Sequence, residues 1–507
     1  MNSVNGTATS LAARTATTRV DVRMYCLGTG DCFVLKFYAG DAEQFTILVD
    51  CGSCVRDGEK LRPYLNDLRE YVGGQIDLLI VTHEHNDHVN GFDRCHNVFE
   101  GLTIKQAWFA WTENPNDPTG QAQELLNKRQ KMRVGLRKAL KQVRKNIRQN
   151  PPGRGRPLDA FMSGLDTLSF VNLDEGNNLS TKKKSDQELM GMKVIKDLLR
   201  RRGVETRYLH PGHSVALPEL PGVNFHVLGP PLDKKYIYKN GKEGRDVYKR
   251  HFSIGDSLMA LDSLLELNHE LRDADLPFNP EFVLNEFDLD DTGIRHAPAD
   301  WQRYLRQAKA LVDRYHHPRC AWRSIEDEWL FAAGSLAIRL NSHINNTSLA
   351  LGVELGAGGP VLLLPGDAEF GSWESWHMIE QWEGLGAGGK HLVEDLLNRT
   401  VFYKVAHHLS YNGTPLAKGV QMMTSPELAV MASLDLNRIA ERWKSTMPNK
   451  ELLAELMRRS QGRCFVMEDA ALLSPSSDAL AQSMPDRYCV KTDSDKRTLY
   501  KQYSVVL

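Results

Sequence analysis

Within Thr82-His83-Glu84-His85-Asn86-Asp87-His88, three imidazoles and two carboxylates fall in the six residues from His83 to His88, directly after the apolar run Ile76-Asp77-Leu78-Leu79-Ile80-Val81 and ahead of Gly91. The run reads as a buried strand, so these side chains stand at its carboxyl end. Imidazole nitrogens and carboxylate oxygens are the donors that hold zinc, manganese or iron, and an incompletely filled shell leaves room for a reactive water. A lone histidine would read as an ordinary loop or core residue. The H-x-H-x-D-H spacing after a hydrophobic strand has no packing rationale of its own, and it reads as a metal-binding loop in which Glu84 and Asn86 point away and support the turn.

The same placement of a ligand type at the end of an apolar strand recurs twice late in the chain. Val361-Leu362-Leu363-Leu364 runs into Pro365-Gly366-Asp367, and Val401-Phe402-Tyr403-Lys404-Val405 delivers Ala406-His407-His408-Leu409-Ser410. At the start of the chain, Met24 to Leu27 and Phe33 to Phe37 read as two strands around the turn Gly28-Thr29-Gly30-Asp31-Cys32, and Phe45 to Val49 as a third that ends in Asp50-Cys51-Gly52.

Taken together, the Gly-x-Gly-Asp turn, the Asp-x-Gly strand end, the H-x-H-x-D-H loop, the Gly-Asp motif and the paired histidines resemble the metallo-β-lactamase-fold hydrolase superfamily. The similarity is greatest to free-standing relatives of the hydrolase domain of the bacterial competence DNA-uptake channel, and it covers Val20 to Trp111 and Leu336 to Arg463. The resemblance implies an α/β fold, an αββα sandwich of two mixed sheets covered by helices, with the site at the strand ends along one edge. It also implies two divalent metal ions as cofactors, zinc first and manganese as the alternative. His83 and His85 would bind one metal, Asp87, His88 and His407 the other, and Asp367 would bridge them, with a bridging hydroxide as nucleophile. Asp87 and His408 are then the catalytic candidates, His408 contacting substrate or donating a proton; the reverse assignment of His407 and His408 stays open. Asp50 would orient a ligating imidazole by holding its other N–H. The remaining ligand of the first metal is open among Asn345, Asn346 and His343. Relatives usually carry glycine after the paired histidines, so Leu409 is expected to alter the pocket mouth.

The surrounding elements must hold these residues. Leu61, Tyr64, Leu65, Leu68 and Tyr71 have a helical period that connects the Asp50 strand to the histidine strand, and Ile104 to Trp111 reads as a further strand. Leu336 to Leu340 and Thr347 to Leu355 are expected to form a hairpin around Asn341 to Asn346. The predicted organisation is a flexible leader over 1–19, a first half-domain over 20–111, an inserted or elaborated, largely helical region over 112–335, a second half-domain over 336–466 and a carboxyl-terminal appendage over 467–507. Leu125, Met132, Leu136, Leu140, Val143 and Ile147 predict an amphipathic helix ended by Pro151-Pro152. Lys128 to Arg156 holds twelve Lys and Arg and no Asp or Glu, so a net charge of −1 conceals one basic segment. Arg137, Lys141 and Arg144 are its candidate nucleic-acid contacts, beside the plainer reading of a solvated helix packed by its apolar side.

Composition narrows the classes. With 507 residues, 41% hydrophobic and 25% charged, the chain can bury a sizeable core, and no run approaches the roughly 18 apolar residues of a membrane span. Eight cysteines are scattered over the whole length, unlike a secreted disulfide scaffold, which favours a reducing cytoplasm. The leading expectation is an enzyme, a metal-dependent hydrolase of phosphoester or nucleic-acid substrates, with no membrane partner. Hydrolysis of a lactone, thioester or amide is the second expectation, and a non-catalytic metal-binding regulator of the same fold is the third.

Overall fold

The computed structural model describes residues 16–130, 190–248, 289–315, 317, 319, 342–383, 391–439, 447–468, 472–473, 479 and 483–507. The chain divides into two compact units, one from Met1–Lys128, Asp166–Ser253 and Arg339–Leu507, the other from Arg129–Leu165 and Ile254–Ile338. All the metal-ligand candidates belong to the first.

The strands of the first unit, in chain order, are β1 (Arg19–Tyr25), β2 (Phe33–Ala39), β3 (Ala42–Val49), β4 (Gln75–Val81), β5 (Thr103–Ala110), β6 (Glu205–Leu209), β7 (Ser214–Ala216) and β8 (Val223–Gly229). They continue as β9 (Ala350–Leu355), β10 (Val361–Leu364), β11 (Thr400–Lys404), β12 (Ala429–Ala432), β13 (Cys464–Val466), β14 (Tyr488–Thr492) and β15 (Thr498–Val506). They form one sheet in the order β14-β15-β1-β2-β3-β4-β5-β6 and a second in the order β13-β12-β11-β10-β9-β8-β7. Two sheets with helices are what an α/β sandwich of the expected kind requires.

Parallel neighbours need a crossover, and helix α1 (Gly58–Tyr71) supplies it between β3 and β4. Asp57 caps α1 by accepting from the Glu59 amide at 3.1 Å, and Leu61, Tyr64, Leu65 and Leu68 form its buried stripe. The register sets Val49 opposite Ile80, so the chain leaves β3 at Asp50 and β4 at Thr82 on the same edge. In the second sheet β10 and β11 are also parallel, Leu363 opposite Tyr403, which brings the turn to Asp367 and the run to His408 out together. The Leu349 amide donates to the Thr82 carbonyl at 2.9 Å, tying the two sheets at that edge.

Strands buried on both faces are continuous apolar runs, because successive side chains serve opposite layers. In β10, Leu362 and Leu364 join the core shared by the two sheets, whereas Val361 and Leu363 face the cluster on the other side. The shared core includes Trp108 edge-on to Phe225, ring centroids 5.1 Å apart, and Phe465 stacked on Tyr488 at 4.1 Å. Among the described residues no helix is long and apolar enough to cross a membrane.

Three expectations are corrected. Residues 467–507 are no appendage: β15 pairs with β1 from Arg19↔Val506 to Tyr25↔Tyr500 and completes that strand's second edge, with β14 outside it. Much of 112–335 is no insertion either, since β6 extends the first sheet, β7 and β8 lie in the second, and the helix Met190–Arg201 packs on helix α2 (Asn86–Arg94). Lastly, β9 has β8 on one side and β10 on the other, so its observed neighbours are not the expected hairpin partner; Leu336 to Leu340 lie outside the described residues. Of the expected basic helix, 121–130 are helical, and Arg137, Lys141 and Arg144 lie outside the described residues. In the second unit Ala299–Tyr315 forms a helix, packed through Leu305 on Leu289 and Ile294.

The last strand tests this arrangement. Tyr503 is buried with its ring 5.5 Å from that of Phe465, so Tyr503→Ala should lower the unfolding free energy by about 3 kcal/mol, as large aromatic truncations do. Urea denaturation checks this; an unchanged midpoint would place β15 outside the cooperative core.

Candidate metal centre

The first half of the centre is built on the ends of β3 and β4. Asp50, at φ 54, turns its carboxylate back onto the neighbouring strand end: the Thr82 amide donates to its Oδ1 at 2.7 Å and the Thr82 hydroxyl to its Oδ2 at 2.6 Å. The same Oδ2 lies 2.8 Å from His88 Nδ1. Asp87 and His88 occupy the first turn of α2, where a carboxylate is favoured by the helix dipole. That helix start rests directly on the strand ends, because a Cβ at Gly52 would meet the Asp87 carbonyl carbon at 2.3 Å, and one at Gly30, φ +141, would meet the Asp87 oxygen at 2.5 Å. Only glycine permits this approach. His83 and His85 turn toward each other, Nε2 to Nδ1 at 3.0 Å, while His83 Nδ1 is held by the hydroxyls of Thr82 at 3.0 Å and Ser348 at 3.2 Å.

The second half comes from the ends of β10, β11 and β12. Asp367 Oδ2 lies 3.1 Å from His88 Nε2 and 3.2 Å from His408 Nε2, and Asp87 Oδ2 is 3.1 Å from the same His408 nitrogen. His408 Nδ1 faces the Ser433 carbonyl at 3.1 Å. Each of the two imidazoles thus has its outer nitrogen held, by Asp50 or by Ser433, and its Nε2 turned to one carboxylate oxygen.

Asp31, His88, Asp367 and His408 offer ligand atoms within 4.8 Å of one another, all buried. Asp31 nevertheless approaches both imidazoles from the Nδ1 side, at 3.5 Å from His88 and 3.9 Å from His408. Its oxygens are engaged by Lys404 Nζ and by the Ser433 hydroxyl. On the Nε2 side the carboxylate partner of His408 is Asp87, which makes Asp87 the better fourth donor. Two further atoms point to a cation: His85 Nε2 and Asp87 Oδ1 are buried and make no hydrogen bond among the described residues. The imidazole and carboxylate set fits a divalent metal.

His407 is placed differently from the expectation. Its backbone amide donates to Asp367 Oδ1 at 3.1 Å, but its partly buried ring has other partners, Nδ1 3.2 Å from Asn412 Oδ1 and 3.4 Å from Glu369 Oε1, with Nε2 3.3 Å from Asn345 Nδ2. His408 enters the buried cluster instead. The divergence comes from the backbone, since His407, His408 and Leu409 have φ of 48, 49 and 64. Of the three residues left open for the first metal, Asn346 is used structurally, accepting from the Glu369 and Ser372 amides and donating to the Ile237 carbonyl. His343 packs edge-on to Tyr238 at 4.5 Å. Asn345 is buried beside His407, and its Oδ1 makes no hydrogen bond among the described residues. Leu409 lies in the core and not at a pocket mouth.

Electrostatics separate the histidines. Burial holds His83 well below the ordinary histidine range and lowers His85 to about 3, so both are neutral ligand forms at pH 7. Burial also opposes protonation of His88 and His408, but the carboxylates of Asp367, Asp31 and Asp87 outweigh it, raising His88 well above its usual value and His408 to about 9. Asp367 stays well below the carboxylate range despite burial, through the charges of Lys404, His408 and His88.

Asp31, Lys404, Ser433 and Glu369 are the residues that motif reading passed over. Asp31 was visible only as a turn residue. Lys404 had a usable signal, a lysine within an apolar strand just ahead of two histidines, since lysine is almost never fully buried unless paired. Cys51 and Cys54 form no common site: Cys51 is buried against Cys32, and Cys54 Sγ faces the Arg438 carbonyl at 3.6 Å.

Residues 27–99 match the family model of the metallo-beta-lactamase superfamily. No curated protein matches the chain. The matched segment holds Asp31, Asp50 and the loop from His83 to His88, and the donors Asp367 and His408 lie beyond it.

Two measurements check this description. His408 gains affinity for its proton on folding, so the stability it contributes is complete below about pH 6.5, the unfolded value, and is lost as pH rises through about 9. Chelator-treated protein should therefore melt at progressively lower temperature across that window, with a shallower trend after metal is added; a flat profile in the treated protein would remove the protonated imidazole. At Leu409, glycine would relieve roughly 1 kcal/mol of left-handed backbone strain but forfeit roughly 2–3 kcal/mol of apolar burial. Leu409→Gly should accordingly be destabilising on balance in chemical denaturation, and a gain in stability would contradict the packing described.

Proposed function

We propose that the chain is a metal-dependent hydrolase of phosphoesters, nucleic acid among them. The observation that carries this reading is the meeting of His88 Nε2 and His408 Nε2 on Asp367 Oδ2, at 3.1 and 3.2 Å, with every outer nitrogen already held. In this reading His83 and His85, with Asn345 as the further ligand, would hold one ion. Asp87, His88 and His408 would hold the other, with Asp367 in reach of His88 and His408 as a further donor. When bound, two divalent cations, zinc with manganese as the alternative, would supply Lewis acidity and a water activated near neutral pH.

The chain's own residues do the rest. Asp50 and the Ser433 carbonyl keep His88 and His408 in the tautomer that presents Nε2, and Asp31 stands behind both rings as a counter-charge. His407, partly buried and steadied by Asn412 and Glu369, is the side chain placed to touch substrate beside the cluster. Two carboxylates in reach of the same imidazole, Asp87 and Asp367, add hard oxygen donors to the histidines and so admit manganese as well as zinc. Arg137, Lys141 and Arg144 remain the proposed contacts for a nucleic-acid substrate.

Purified protein supplied with manganese or zinc should hydrolyse bis(p-nitrophenyl) phosphate or single- or double-stranded DNA or RNA in preference to a lactone panel; activity on lactones alone would sink the phosphoester reading. Asp87→Ala and Asp367→Asn should each lose bound metal and turnover together. Asp50→Ala, acting one layer out, should weaken metal binding by about 10–100-fold. Full metal occupancy in all three variants would refute the ligand set.

A further inference from the structure

Lys404 is fully buried at the end of β11, and its ammonium is shared among three acceptors: the Gly366 carbonyl at 2.9 Å, Asp367 Oδ1 at 3.0 Å and, more closely, Asp31 Oδ2. Asp367 Oδ1 also receives the His407 backbone N–H at 3.1 Å. Both donors therefore converge on one oxygen of Asp367, while the other oxygen, Oδ2, is the one that meets His88 and His408. A carboxylate with two free oxygens can close on a single cation from both sides. One whose Oδ1 is occupied by an ammonium and an amide has a single oxygen to offer.

We propose that Lys404 is a positioning residue that withholds Oδ1 of Asp367, so that Asp367 presents one oxygen alone to bound cations, and that its charge keeps those cations from being bound too tightly. The inference rests on the metal-centre reading above. Two physical effects act in the same direction. An ammonium beside the carboxylates reduces the negative charge that a divalent ion meets, which matters most where water is excluded. Its hydrogen bond also removes one ligand atom from competition. A lysine serving only as the structural counter-ion of Asp31 makes the opposite prediction, because losing it would loosen the pocket and weaken every ligand.

The test uses the full-length protein and manganese(II) alone as probe. Calorimetric titration and the rate of manganese removal by a chelator are measured for the wild type, Lys404→Met, Asp31→Asn and the double variant Asp31→Asn/Lys404→Met. The double variant removes one charge of each sign, so it keeps the wild-type net charge and serves if Lys404→Met alone fails to fold. Lys404→Met should bind manganese about tenfold more tightly than wild type and release it more slowly, with kcat reduced more than KM on the phosphodiester substrate. The double variant should still bind several-fold more tightly than wild type, since Oδ1 then keeps only the His407 amide and has a lone pair to offer at unchanged net charge. The electron paramagnetic resonance spectrum of the manganese-loaded double variant should differ from wild type, reporting the changed carboxylate mode. Unchanged or weaker manganese binding in both Lys404 variants would overturn the proposal. Absence of manganese and zinc binding in the wild type would instead overturn the metal-centre reading itself, so the two failures are distinguishable.

Discussion

A buried carboxylate is the constraint on which this centre depends. Asp367 comes from the second sheet, is excluded from water, and remains ionised because His88, His408 and Lys404 surround it. Unpaired, such a charge would cost several kcal/mol. Paired in this way, it joins side chains from α2, from the end of β11 and from the turn after His407. The two sheets must therefore meet at this edge in one register, and the Leu349–Thr82 backbone bond provides that meeting at 2.9 Å.

Positioning is divided between backbone and side chain. Gly30 and Gly52 let the start of α2 lie against the strand ends, which places Asp87 and His88 more closely than any residue with a Cβ would allow. At the other side, consecutive left-handed residues send His407 and His408 in different directions from adjacent positions. Such strain concentrates where a site needs it and is offset by packing, here by the burial of Leu409 in the core under the second sheet. The outer nitrogens are then held by groups that never face the cations' side: Asp50 for His88 and the Ser433 carbonyl for His408. Lys404 extends the same logic to Asp367, holding one oxygen so that the other is free.

The apolar runs ending in His83 to His88, Asp367 and His407-His408 were readable because a strand end is a local pattern and a cluster of ligand types beside it is rare. The shared edge of β3 and β4 was readable too, since a helical period between two strands implies a parallel crossover. What failed to read was non-local. Residues 467–507 read as an appendage, because nothing in them said that β1 had an open edge to receive a strand. Likewise Thr347 to Leu355 looked like half of a hairpin, whereas β8, more than a hundred residues earlier, holds that edge.

By itself, then, the sequence determined the donor types and their delivery at strand ends, because these follow from residue chemistry and short periodicities, and its motifs carried the resemblance that implied the α/β class. Only the tertiary structure decided which of two adjacent histidines enters the cluster, since that depends on left-handed backbone angles that neither residue type announces. It also decided that Asp31 and Lys404 belong to the centre. Their roles arise from charges brought together across the two sheets, and a carboxylate in a turn or a lysine in a strand acquires such a role only once the register has placed another charge against it.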